Sequence, residues 1–248
     1  MSVFAHQVRA EQLVFWRSRE AAIFIFVFPV LLFVLLGAVY SGTYEGRPVT
    51  DYLVTGLLTY GAANTAFAGL AISLVIRRET GILKRLRSTP LGPPTYFAAS
   101  LASILLVFAL QSLLLVAVGR TAYGAAFPER PLELVAGLGV GALAFAAMGV
   151  GIAGLIRSSE GASAVVNVVL LPMAFLSGAF GPTRDLPDFL QAIANVLPLR
   201  HLVEVVEAVY LRDDGLATEL ASLGVLLGWG AVGLLLALTR FRWEPRER

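Results

Sequence analysis

Residues 78–91 read Arg78-Glu79-Thr80-Gly81-Ile82-Leu83-Lys84-Arg85-Leu86-Arg87-Ser88-Thr89-Pro90-Leu91, the only densely charged run inside a chain otherwise made of long apolar stretches. Within it Ile82, Leu83 and Leu86 fall at i, i+1 and i+4 among Lys84, Arg85 and Arg87, while Gly81 loosens the entry and Pro90 closes the exit. The pattern predicts a short surface helix with one apolar face, held in water between two membrane spans.

The flanking sequence sets the class. Of 248 residues, 57% are hydrophobic and 15% charged, against about 25% charged in a soluble domain, and the mean hydropathy is +0.78. Six stretches, at about 23–40, 52–76, 96–119, 132–156, 162–180 and 216–239, approach the roughly 20 residues that a helix needs to cross a hydrocarbon core. Their unbroken apolarity argues for helices over barrel strands, whose spans run to about 10 alternating residues. The expected fold is therefore an all-α integral membrane protein, one transmembrane domain over 1–248.

Charge sets the orientation. The side holding 1–22, 77–95, 157–161 and 240–248 carries 13 Lys+Arg and 6 Asp+Glu, and the other side 6 and 11. By the positive-inside rule both termini and the charged run face the cytoplasm. The pI of about 9.1 then describes a surface facing anionic lipid and carries no sign of nucleic-acid binding. The charged residues before position 23 and the 18-residue run after it argue against a cleavable leader. We expect that run to be kept as the first span.

Residues 1–20 mix Val3, Phe4, Val8 and Phe15 with Arg9, Glu11, Gln12 and Arg17. They predict an amphipathic helix in the interface with Trp16 at headgroup depth, or else a frayed tail. In the fourth span Gly137 and Gly141 form a small-xxx-small pair that suits close helix packing within the chain better than a dimer seam. The connection 181–215 keeps an amphipathic pattern around Pro182, Pro187 and Pro198. It predicts two short helices at the outer face, re-entrant or lying on the surface.

Much chemistry is excluded. There is no cysteine, so disulfides and thiolate sites are absent. The single lysine, Lys84, follows Leu83 and belongs to no phosphate loop. His6 and His201 fall on opposite sides and cannot share a metal, and Ser163 in Gly161-Ala162-Ser163-Ala164 cannot meet His201 for proteolysis. No carboxylate lies mid-span, as an ion-coupled carrier would require. The deepest polar residues are Asn64, Thr65, Gln111, Ser112 and Asn167. They either line a pathway for an amphiphile or make interhelical hydrogen bonds of about 0.6 kcal/mol each.

The charged run resembles the cytoplasmic loop of type-2 ABC transporter permeases, the family of daunorubicin-resistance and polysaccharide-export subunits. The matching residues are Arg78, Glu79, Gly81, Leu83, Leu86, Thr89, Pro90 and Leu91. A second match is Phe175-Leu176-Ser177-Gly178 with Phe180 and Pro182, followed by Pro187 and Pro198. The resemblance implies six spans with an interfacial helix at 1–20, a coupling helix within 77–95 and an outer re-entrant segment at 181–215. It also implies export of a hydrophobic or amphiphilic substrate, such as a drug, antibiotic, lipid or glycan-lipid, across a bacterial cytoplasmic membrane.

On the same resemblance the permease pairs with a second copy and with two ATP-binding subunits. The chain itself then holds no catalytic, cofactor or metal site, and ATP and Mg bind the partner. Leu83 and Leu86 are expected to supply the apolar contact to that ATPase, Glu79 and Arg85 polar pairs, and Pro90 a rigid exit. Asn64, Phe67, Gln111 and Asn167 are the candidates for the pathway. Ser177, Gly178, Phe180, Pro182, Pro187 and Pro198 are those for the outer gate. The competing readings are an energy-independent channel or scramblase and a membrane scaffold.

Overall fold

A computed structural model describes residues 2–40, 42–181, 183 and 186–244. After α1 (Val3–Arg17), capped by the Ser2 hydroxyl, come α2 (Arg19–Val39) and a two-strand hairpin, β1 (Thr43–Tyr44) with β2 (Arg47–Pro48), which is antiparallel. Its turn residues Glu45 and Gly46 both take positive φ, the geometry that matches the twist of a tight hairpin. The second span is one helix in three parts: α3 (Val49–Ala63), a π turn (Asn64–Ala68) and α4 (Gly69–Glu79). Next come α5 (Ile82–Arg87), α6 (Pro93–Tyr123), α7 (Pro131–Leu155) and α8 (Ser159–Ser177). Two short helices, α9 (Asp188–Ala194) and α10 (Pro198–Leu211), meet at 80° before a 3₁₀ turn (Leu216–Glu219) leads into α11 (Leu220–Arg240).

Among the described residues six helices are long and apolar enough to cross a membrane, and the bent pair α9–α10 is not counted among them. They coincide with the six apolar stretches of the sequence. The main difference is length, since spans 2 and 3 each run 31 residues. Span 2 stays helical through Arg77, Arg78 and Glu79, which the sequence places in a loop, because other helices satisfy those side chains. Span 5 starts earlier and ends earlier than its apolar stretch, stopping where Gly178 turns left-handed at φ +88°.

Span 2 is the axis of the molecule. Its apolar window is 72% buried, against 11% for span 1 and 17% for span 6; spans 1, 3, 4 and 5 pack against it, and span 6 packs on span 4. Close approach depends on glycine. A Cβ on Gly149 would sit 2.6 Å from the Phe67 carbonyl oxygen, and one on Gly233 would sit 2.5 Å from the Met148 nitrogen. Gly151 and Gly154 meet span 6 backbone in the same way, while Gly137 and Gly141 meet Val205 and Leu202 of α10. The glycines of span 4 therefore pack within the chain, in the direction the small-xxx-small pattern suggested.

Gly56 is equally constrained, because its Cβ would collide with the Ala179 backbone, whereas a Cβ on Gly69 meets open space. Gly56→Ala is expected to destabilise the detergent-solubilised chain by about 1–3 kcal/mol through overpacking. Gly69→Ala should leave it unchanged or stabilise it by up to about 1 kcal/mol through helix propensity. Thermal unfolding of the two variants side by side checks this, and equal midpoints would contradict it.

Candidate functional site

At the end of α4 the chain turns through Thr80, whose hydroxyl donates to the Ile76 carbonyl at 2.9 Å, and through Gly81 at φ +74°. A left-handed residue there costs glycine little and other residues more. α5 follows and is closed by two hydroxyls: Ser88 donates to the Arg85 carbonyl at 2.8 Å and Thr89 to that of Leu86 at 2.7 Å. Pro93 and Pro94 then open α6 in its first turn, where proline is favoured.

Three consecutive side chains at the end of α4 reach three different places. Arg77 grips Glu11 of α1 with two hydrogen bonds of 2.7 and 2.6 Å and also donates to the Tyr96 hydroxyl of α6 at 2.7 Å. The side chains of this ion pair retain only 16% and 9% of their exposure, and its bidentate geometry belongs to the strong class of charge-assisted bonds. Gln12 adds to the clamp by donating from Nε2 to the Ser103 carbonyl and hydroxyl, both at 2.8 Å.

Arg78 points elsewhere. With 1% exposure it donates from Nη1 to the Ala153 carbonyl at 2.8 Å and from Nη2 to the Ile156 carbonyl at 2.6 Å. These carbonyls lie in the last turn of α7 and on the residue that caps it, where helix geometry leaves acceptors without intrahelical partners and concentrates negative potential. Glu79 completes the set. Its carboxylate accepts from the Ser159 backbone N–H at 2.9 Å and from the Ser159 hydroxyl, at the positive end of α8. One turn of α4 thus holds α1 and α6 on one side and the junction of α7 with α8 on the other.

The remaining loop residues divide by burial. Leu83 is fully buried and joins the chain's own core, and Leu86 is half-buried against it. Ile82 is 43% exposed, and Lys84, Arg85, Arg87, Thr89 and Pro90 are exposed beside it. The apolar side chain that α5 turns outward is therefore Ile82, not Leu83. Sequence reasoning also missed Arg77, Glu11 and Tyr96. The available signal was Glu11 itself, a carboxylate at helical spacing from Val8 and Phe15 on the apolar side of α1.

Of the pathway candidates, the structure gathers three at mid-span around the π turn. Phe67 and Gln111 are buried and Asn64 is half-buried. Thr65 donates to Gln111 Oε1 at 3.3 Å, and Gln111 Nε2 lies against Gly61. Asn167 stands apart, exposed on α8. At the other end of span 5, Ser177 is buried and donates to the Ala174 carbonyl at 3.0 Å, Gly178 makes the left-handed turn, and Phe180 packs edge-on against Tyr60 at 4.9 Å. Pro187 precedes α9 and Pro198 opens α10, where His201 Nε2 lies 2.9 Å from the Asn195 carbonyl across the bend. Pro182 lies outside the described residues.

The sequence model of the family described as ABC-2 type transporter matches residues 3–211, from α1 to the end of α10. The chain belongs to this family. As an ABC-2 type permease with six candidate spans it is a multi-pass membrane protein. It is 27% identical over 169 residues to the "Probable multidrug ABC transporter permease YbhR" of Escherichia coli, a match covering 68% of this chain and 44% of that one. It is 26% identical over 171 residues to the "Inner membrane transport permease YhhJ" of the same organism, covering 68% and 46%. With "Nodulation protein J" of Rhizobium meliloti it shares 33% identity over 105 residues, 42% of this chain and 40% of the relative. Each of these matches thus covers less than half the length of the relative.

Burial ranks two of the gripping residues of this permease. Arg78→Gln removes two charge-assisted bonds inside the protein and is expected to cost on the order of 3–5 kcal/mol. Glu79→Gln, at an exposed position, is expected to cost under about 1 kcal/mol. Thermal unfolding in one detergent measures both, and equal losses would contradict the ranking.

Proposed function

We propose that this chain is the membrane-spanning subunit of an ATP-driven exporter, working as two copies with two copies of a separate ATP-binding subunit in a bacterial cytoplasmic membrane. Both termini and α5 face the cytoplasm, ATP and Mg bind the partner, and the chain has no catalytic role of its own. The substrate class is a hydrophobic or amphiphilic molecule such as a drug, antibiotic, lipid or glycan-lipid, moved outward.

The observation that carries this reading is the pairing of an outward face with an inward grip. α5 presents Ile82 with the exposed cations Lys84, Arg85 and Arg87, none of which makes an ion pair among the described residues. The helix turn directly before it is tied to four other helices. A partner that seats on α5 can therefore move the bundle. The charge asymmetry of 13 Lys+Arg to 6 Asp+Glu on this side supports a cytoplasmic position. Asn167, exposed on α8, supports a second copy or a polar path beside span 5, since an amide facing lipid alone is costly. The pathway candidates Asn64, Phe67 and Gln111, neutral and largely buried, suit an amphiphile better than an ion.

The test is recovery of an ATP-binding subunit with the tagged chain from its native membrane. Wild type is expected to bring it down in stoichiometric amount. Ile82→Asp combined with Arg85→Glu is expected to lose it while the chain remains inserted. Leu83→Asp is a poor probe, because a carboxylate in that buried position disturbs the fold itself. Reproducible absence of the ATPase from wild type would favour the channel, scramblase or scaffold readings.

A further inference from the structure

We propose that Arg78 and Glu79 are positioning residues that deliver the displacement of α5 to spans 4 and 5, so that α8 moves with the loop. The inference rests on the exporter reading above and adds the route by which a push on α5 reaches the far side of the bundle.

The geometry is specific. α7 and α8 are joined by only three residues, 156–158. Adjacent side chains of α4 hold the two ends of that joint. Arg78 donates to the Ala153 carbonyl before it and to the carbonyl of Ile156, its first residue, and Glu79 accepts from the Ser159 N–H and hydroxyl after it. A guanidinium with 1% exposure cannot exchange those carbonyls for water without opening the interior. Each contact also sits where a helix end offers unpaired backbone groups of the matching polarity. The last turn of α4 and the joint therefore shift together.

Within α8 the displacement has somewhere to go. Pro172 interrupts the backbone ladder of this helix, which gives its first half a natural point of bending. That first half carries the exposed Asn167. Beyond the bend, the Ala179 backbone against Gly56 and the Phe180 ring against Tyr60 stay anchored on span 2. A shift of the joint thus swings the near end of α8 while its far end holds.

The chain has no cysteine, so one introduced cysteine carries one label per copy. Ser163→Cys marks the near end of α8 and Ser88→Cys marks the loop, both at exposed positions. The permease–ATPase complex in lipid nanodiscs is labelled with nitroxide, and double electron–electron resonance gives the distance between the two copies with and without Mg-ATP plus vanadate. In the wild-type background both distances are expected to shift on trapping. In Glu79→Gln combined with Ser159→Ala, and in Arg78→Lys, the Ser88 shift is expected to persist while the Ser163 shift falls to less than half. Ser159→Thr, which keeps the hydroxyl, should retain it.

A full Ser163 shift in both altered backgrounds, or a wild-type loop shift with no movement at Ser163, would overturn the inference. Absence of the ATPase from the preparation, or of any distance between copies, would overturn the exporter reading and the inference with it. Elution of each variant as wild type, with ATPase bound, separates a lost linkage from a lost fold.

Discussion

A buried guanidinium persists only where its N–H donors find acceptors, and Arg78 finds two at the open end of span 4. This contact organises the near side of the bundle because it solves two problems together. The final carbonyls of α7 lack intrahelical partners, and burying them bare would cost free energy. A cation at the end of span 2 would be equally costly without them. Arg77 and Glu79 extend the same logic in opposite directions, one to the carboxylate of α1 and the hydroxyl of Tyr96, the other to the first turn of α8. One turn of helix thereby fixes the relative positions of five helices whose lipid-facing surfaces have no hydrophobic drive to associate.

Away from that end, cohesion comes from absent side chains. Span 4 meets span 2 at Gly149 and span 6 at Gly151 and Gly154, while span 6 answers with Gly230 and Gly233. Dispersion between closely approaching backbones replaces the exclusion of water that drives packing in soluble proteins. Span 4 is consequently bound on two sides. Span 1, with 11% of its apolar window buried, is held mostly by its neighbours in sequence and by aromatic contact, as where Phe33 meets Tyr123 at 5.0 Å.

The six spans, the N-terminal amphipathic helix, the glycine packing of span 4 and the two short helices before span 6 were all legible, because each leaves a periodic or compositional trace. The loop helix was legible as well, but not its facing. Ile82 and Leu83 are adjacent apolar residues, and only the packing of α5 decides that Leu83 turns inward. Arg78 and Glu79 read as surface charge because a residue's sequence neighbours do not reveal that a helix end from 75 residues further on will lie beside it. Glu11 stood out on the apolar side of α1, but its partner Arg77, 66 residues away, did not. Long-range pairing of charge with helix termini has no periodicity and leaves no local signal.

The π turn at Asn64–Ala68 bears on how this chain is compared with its relatives. Its backbone bond from the Gly69 N–H to the Asn64 carbonyl spans five residues, so the turn absorbs one residue more than an α-helix of the same rise. α3 and α4 keep the relative phase of a helix one residue shorter. Counting 3.6 residues per turn straight through span 2 therefore misplaces Arg77, Arg78 and Glu79 by roughly 100° of azimuth. A relative that lacks one residue here and is α-helical throughout would aim the same three side chains at the same partners. A one-residue gap between Gly69 and Arg77 would instead bring a carboxylate round to the carbonyl end of span 4. Length variation is silent at one point of this helix and disruptive a turn or two later, so a gap placed by similarity score alone can misassign the whole grip.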